Sequence, residues 1–373
     1  MQRNSLYLFT VFGVAVRVHV TWLIIFVLVT WSLAAVYFPG EYRGWSPAAY
    51  WFVGVVTSLL FFASVLVHEL AHSVVARLQG MNVRDIVLFV FGGVSELEGE
   101  PGSAQHEFLM ALVGPLTSFL IGLASLSVWL LTKAAYQYVP AAAFYLFWIN
   151  TLLGIFNLIP GFPLDGGRVL RSTIWGVTRD LRLATRLASL IGSFVAYAFI
   201  FIGIWQVFAG RFVSGLWIAF IGWFLNSAAQ TSYASMVISD LLASHTVAEL
   251  VNRDYPTVSD DLTVEAVVRD YILGQGRRSL PVMQQGRYAG LVTVHSVRAV
   301  QREKWQTTRV GDAMIPADKV YGVTPAASLS SAIGKMAREG VHQLVVLDDG
   351  RLVGMLARDA VLEFIRTHAE LGA

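Results

Sequence analysis

The chain has no cysteine among its 373 residues. That excludes a disulfide framework and any thiolate metal site, so a metal here must be held by His, Asp or Glu. Charge is scarce as well: Asp, Glu, Lys and Arg make up 14% of the residues and leave a net charge of +2. This balance gives neither a basic footprint nor an acidic tail, and nucleic acid is excluded as a partner. The stretch Met1 to Val20 lacks the charged start and small-residue cleavage site of a signal peptide, so the first apolar span is expected to be retained.

Apolar residues are what the chain has in excess. It is 55% hydrophobic with a mean hydropathy of +0.60, too apolar for an ordinary soluble globule. Its charges are unevenly spread, 21 in residues 1–236 against 31 in residues 237–373. The first part therefore reads as a membrane domain and the second as a soluble one. Hydropathy places six membrane segments near 18–37, 49–75, 108–131, 144–170, 184–208 and 212–235. Between the second and third, Asp85 to Glu100 differs: a β-rich run Ile86 to Phe91, then Gly92-Gly93, then polar alternation. This predicts a short strand pair at the membrane face.

Orientation follows from Lys and Arg. With both termini cytoplasmic, the inner segments hold nine arginines: Arg3, Arg17, Arg77, Arg84 and five between Arg168 and Arg186. The outer loops hold only Arg43, Lys133 and Arg211. That asymmetry obeys the positive-inside rule.

The second span ends in His68-Glu69-Leu70-Ala71-His72. On a helix two histidines four apart share one face and can reach one zinc ion, and the glutamate beside them is placed to take a proton from water. Ionisable groups at membrane depth are costly and mark function. A catalytic zinc needs a third protein ligand. The fourth span supplies one in Asn157-Leu158-Ile159-Pro160-Gly161-Phe162-Pro163-Leu164-Asp165-Gly166-Gly167-Arg168. Its prolines and glycines cannot sustain a regular helix, and unwound backbone at that depth has to line a cavity or lie buried in protein. A carboxylate at Asp165 is rationalised as a metal ligand, because the metal offsets its desolvation. Gly114-Pro115 in the third span reads as a kink, and His19 and His106 as interface or capping residues.

HELAH on one span with NLIPGFPLDGGR on a later one resembles the site-2 protease family of intramembrane metalloproteases, over roughly residues 1–230. The resemblance implies one Zn2+ per chain on His68, His72 and Asp165, with Glu69 as general base. It further implies that Asn157 positions the scissile peptide or its oxyanion, and that the Gly92-Gly93 strand receives an unwound, single-span membrane-protein substrate.

The soluble tail repeats itself. Thr257-Val258-Ser259 matches Gly322-Val323-Thr324, Leu280 to Met283 matches Gln343 to Val346, Gly286 matches Gly350, and Gly290 to Thr293 matches Gly354 to Ala357. Each unit reads strand, helix, strand, strand, helix, and neither covers its own apolar face. The pattern resembles a pair of CBS domains, at 237–306 and 307–373, a module that often binds adenine nucleotides and pairs into homodimers. Of the family's nucleotide fingerprint the first unit keeps Thr293 but has Ser296 for Asp. The second keeps Arg358 and Asp359 but has Ala357 for Thr. The expected fold class is thus a membrane α-helical bundle with a short membrane-associated strand pair, followed by a soluble α/β tandem CBS module. The alternative function is a CBS-regulated channel or metal transporter. Against it stands the glutamate between the two histidines, and no repeat is visible in the membrane half.

Overall fold

The computed structural model describes residues 5–90, 92–98 and 101–371, the side chains of 96–98 excepted. It forms two compact units, Met1–Ala234 and Ser235–Ala373. Among the described residues six helices are long and apolar enough to cross a membrane: α1 (Trp22–Glu41), α2 (Pro47–Leu78), α3 (Ala104–Thr132), α4 (Tyr138–Asn157), α6 (Leu181–Phe208) and α7 (Phe212–Ser244). Their starts carry local signals. Ser46 caps α2 by accepting the Ala49 N–H at 3.3 Å, with Pro47 in the first turn. Ser103 does the same for α3, and Asp180 accepts the Leu183 N–H at 2.9 Å at the start of α6.

The fourth span is shorter than hydropathy predicts. It ends at Asn157, residues 158–164 form an irregular loop, and the chain resumes as a separate helix α5 (Asp165–Thr178). The apolar window had run across this break. α5 buries only Gly166, Gly167, Arg171 and Ser172.

The expected strand pair is present as β3 (Asn82–Phe89) and β4 (Gly92–Glu98), but it is half of a larger sheet. β1 (Ser5–Val11) and β2 (Val14–His19) form a hairpin, and the order is β1-β2-β3-β4, with β2 parallel to β3. The hairpin turns on Phe12 and Gly13, both at positive φ (49° and 74°), as two-residue hairpins require. Arg77 at the end of α2 donates to the Phe12 carbonyl, and Arg17 pairs with Asp85 at 3.0 Å. Buried Val14, Ala76, Val83, Ile86 and Met110 pack sheet, α2 and α3 together. β4 remains as an edge strand.

The second unit holds two lobes. One sheet runs β5-β6-β7-β8 (Val258–Ser259, Ser279–Gln284, Arg287–Thr293, Ile315–Pro316) and the other β11-β10-β9 (Arg351–Ala357, Gln343–Asp348, Gly322–Val323). The sequence repeat is visible in detail. Leu280 pairs with Val292 as Leu344 pairs with Leu356, and each hairpin is bulged at the same place. The tight turns Gln285-Gly286 and Asp349-Gly350 share positive φ. This register equates Leu280 with Leu344, one residue off the match of Leu280 with Gln343 read from the sequence. After the first residue both strands run apolar without alternation, so sequence alone has no period to fix the frame.

Each lobe is completed by the other repeat. Val247 of α8 (Val247–Leu250) is buried with Leu329, Leu344 and Leu356, its N–H bonded to the Ala327 carbonyl at 2.9 Å. In the same way Val310 of α11 (Val310–Ala313) is buried with Val264, Leu280 and Val292, and bonds the Leu262 carbonyl at 2.8 Å.

Candidate metal centre

His68 and His72 lie one turn apart on α2 and are both buried. α3 packs alongside and fixes the two rings from behind. His68 Nδ1 is 2.8 Å from Ser118 Oγ, and His72 Nδ1 donates to the Met110 carbonyl at 2.6 Å. A carbonyl can only accept, so Nδ1 of His72 carries the proton and the neutral ring presents a bare Nε2.

Asp165 arrives as the first residue of α5. The loop before it folds so tightly that backbones touch, and glycines make this feasible. Gly161 has φ +155°, a Cβ on Gly167 would lie 2.5 Å from the Gly161 carbonyl oxygen, and one on Gly192 would lie 2.8 Å from the Phe162 nitrogen. Phe162 packs in turn on Ala188 and Ala229. Asp165 Oδ2 then stands 3.2 Å from His68 Nε2 and 3.2 Å from His72 Nε2, and the two Nε2 atoms are 3.2 Å apart.

The equal sides identify what the triangle fits. Zinc bonds to N and O are about 2.0–2.1 Å, so the edge of a zinc tetrahedron is about 3.3 Å. With zinc held there, three protein donors on one face would leave the fourth position for water. A hydrogen bond between the two Nε2 atoms needs one of them bare, so the two ring protons cannot serve all three edges at once, whereas one cation satisfies all three. Among the described residues this is the His/Asp/Glu cluster able to hold a metal ion.

Space at the donors comes from Gly114. A Cβ there would lie 2.6 Å from His68 Nε2 and closer still to His72 Nε2. The sequence reads Gly114-Pro115 as a kink and gives Gly114 no role toward the histidines. Pro115 lies inside α3, and Met110, Gly114 and Ser118, at four-residue steps, form the stripe facing the histidines. That spacing was the available signal.

Glu69 follows His68 and meets the sheet. The Ser95 hydroxyl donates to Glu69 Oε2 at 3.1 Å and lies 3.2 Å from Ser73 Oγ. A Cβ on Gly93 would be 3.0 Å from Glu69 Cδ, so β4 runs directly over this carboxylate, with Gly92 at φ +126° beginning the strand. The structure therefore gathers His68, Glu69, His72, Asp165 and Gly93. Asn157 ends α4, half-buried, its side chain hydrogen-bonded to no described residue.

The three nucleotide candidates are not gathered in this way. The Thr293 hydroxyl accepts the Ser296 N–H at 3.0 Å, and Ser296 Oγ accepts the Thr293 N–H at 3.0 Å, closing a capping box on α10 (Val294–Arg298). Arg358 reaches the Val341 carbonyl at 3.5 Å, and Asp359 is exposed at the start of α13 (Arg358–Leu371). The strand register equates Ser296 with Ala360 rather than Asp359. Neighbouring helix positions point about 100° apart, so Asp359 does not substitute for the missing Asp.

A triangle able to hold a metal, from two histidines on a membrane-length helix and a carboxylate at the start of α5, lies beside a glutamate. The chain also carries a repeated α/β module, and together they mark a membrane metallopeptidase with paired CBS domains. Residues 56–135 and 130–203 match the model of peptidase family M50, and residues 247–303 and 310–367 match the CBS domain. The chain belongs to the site-2 protease family of zinc metallopeptidases. Relatives named as zinc metalloproteases include Rip3 of Mycobacterium tuberculosis, 34% identical over 97% of this chain and 93% of that protein. Another is sll0528 of Synechocystis, 30% identical over 98% of this chain and 97% of that one. The solved site-2 protease of Methanocaldococcus jannaschii is 26% identical, covering 61% of this chain and 95% of that one, with a TM-score of 0.42. The channel or transporter alternative is not favoured.

Proposed function

We propose that the protein hydrolyses peptide bonds within or near transmembrane segments of membrane proteins, with His68, His72 and Asp165 holding one zinc ion per chain. The observation that carries this reading is the 3.2 Å triangle of two imidazole nitrogens and one carboxylate oxygen, beside Glu69 on the same helix. Bound zinc supplies Lewis acidity toward a scissile carbonyl and lowers the pKa of water to about 7. Glu69 is the general base: Ser95 holds Oε2, and Oε1 takes the proton from the attacking water and returns it to the departing amine.

A transmembrane helix has its backbone amides bonded internally, so the substrate, read as a single-span protein, has to unwind before attack. Edge strand β4, from Gly92 and Gly93 onward, accepts the unwound stretch by strand addition and lays it past Glu69. Asn157, with its amide uncommitted, is assigned to the scissile peptide or its oxyanion.

Both termini are read as cytoplasmic from the distribution of arginine. Reaction of a cysteine placed at Gln79 or Thr178 only with an outside-confined reagent would reverse that topology. The CBS pair, read as 237–306 and 307–373, is assigned a regulatory role and homodimer formation. Adenine-nucleotide binding at the CBS pair is proposed as weak, with Thr293 and Arg358 as the candidates left to hold it.

The test uses the full chain in detergent: zinc content and cleavage of candidate single-span substrates, beside Glu69→Gln. The variant is expected to keep zinc and to lose activity by 10²-fold or more, on the order expected for a general base. Full activity in zinc-loaded Glu69→Gln would sink the mechanism.

A further inference from the structure

Beside the metal centre lies a second buried cluster of charge. Arg171 Nε donates to Glu107 Oε1 at 2.7 Å, a second guanidinium nitrogen contacts the same oxygen, and Arg168 Nε is 3.9 Å from it. Glu107 is fully buried and Arg171 is 6% exposed. Such a pair is a poor source of stability, because desolvation offsets its attraction and apolar residues of similar volume serve as well or better. Its location points to a different role.

On α3, Glu107, Met110, Gly114 and Ser118 recur at intervals of three and four residues and occupy one buried face. That face accepts the His72 ring at Met110, leaves room at Gly114 and fixes the His68 ring at Ser118. On α5, Arg168 and Arg171 follow Asp165 in steps of three. The Arg171 guanidinium also lies over the Phe162 ring, 5.3 Å from its centroid, in the loop that delivers Asp165. One ion pair therefore joins the helix that orients both imidazoles to the helix that begins with the carboxylate.

We propose that Glu107 and Arg171 are the positioning pair of the metal centre. Their contact fixes the rotation and height of α5 on α3, so that Asp165 Oδ2 lies equidistant from the two Nε2 atoms. A planar guanidinium suits this task because two of its nitrogens close on the one Glu107 oxygen and so fix the direction of approach, which a point charge does not. The proposal rests on the reading of His68, His72 and Asp165 as a zinc site.

The full chain is purified as wild type, Glu107→Met/Arg171→Met and Arg171→Lys. Zinc affinity, the rate of zinc loss to a chelator and thermal unfolding are measured on each. The double variant removes both charges at similar volume and is expected to fold. Its zinc affinity should fall by about 10–100-fold, the usual cost of losing a group that orients a ligand, with its unfolding temperature little changed. Arg171→Lys keeps the charge but not the paired nitrogens and should fall between the two. Wild-type zinc affinity and release in a folded double variant overturn the proposal. Should that variant not fold, wild-type zinc behaviour in Arg171→Lys overturns it equally. A wild-type chain that binds no zinc overturns the metal reading itself.

Discussion

The Ser279 hydroxyl donates a hydrogen bond to Gln343 Oε1, and these two residues are the same position of the two CBS repeats, 64 residues apart. Like meets like only at a symmetry axis, so the pseudo-twofold of the module passes between them. Leu291, Val345 and Met355 bury the surrounding surface. Gln343→Leu leaves the buried Ser279 hydroxyl without this acceptor, and an unsatisfied buried group costs about 1–3 kcal/mol. Denaturant unfolding of the CBS unit should show that loss, and adding Ser279→Ala should recover most of it. Equal stability of all three proteins would mean the bond contributes nothing.

Gly114→Ala should abolish zinc binding, because its Cβ would occupy the space of the donor atoms. Ser118→Ala removes only the partner of His68 Nδ1 and should weaken zinc by about 10–100-fold. Metal analysis after dialysis separates the two. A Gly114→Ala chain with full zinc would mean that the triangle is not the metal site.

Adenine nucleotides should bind the full chain weakly, since Thr293 is committed to a helix cap and Asp359 is out of register. Calorimetric titration with AMP and ATP checks this. Tight binding that survives Thr293→Ala and Asp359→Ala would place the ligand elsewhere in the module.

Glu249 makes one part of the CBS unit sensitive to acid. Its carboxylate is lowered from 4.5 to about 2, first by the Thr246 backbone N–H and then by the His245 and Thr246 side chains. A depressed folded pKa stabilises fully above the unfolded value and is lost as pH falls through the folded one. Glu249→Gln should therefore unfold at lower temperature than wild type at pH 7, with the gap closing between about pH 4.5 and 2. A gap independent of pH would show that the carboxylate's charge is not involved.

Much of the metal centre was legible because its signals are local. HELAH needs only helical spacing, and Asp165 stands out because Pro160, Gly161 and Pro163 interrupt an apolar run. What sequence could not provide was pairing at a distance. β2 joins β3 across 70 residues, from Ala15 to Asp85, and neither strand carries a local mark of so distant a partner. The approach of Gly93 to Glu69 and of Gly114 to the histidines is likewise tertiary, and a glycine carries no mark of what fills the place of its missing side chain.

The crossing of Val247 and Val310 into opposite lobes limits how such a tail can be rearranged. A cut between residues 303 and 310, where the two CBS matches part, would separate each lobe from a segment that closes its core. Neither repeat is a severable cassette. The pair is gained, lost or transplanted whole, and a splice that took one alone would leave the survivor with an open hydrophobic seam.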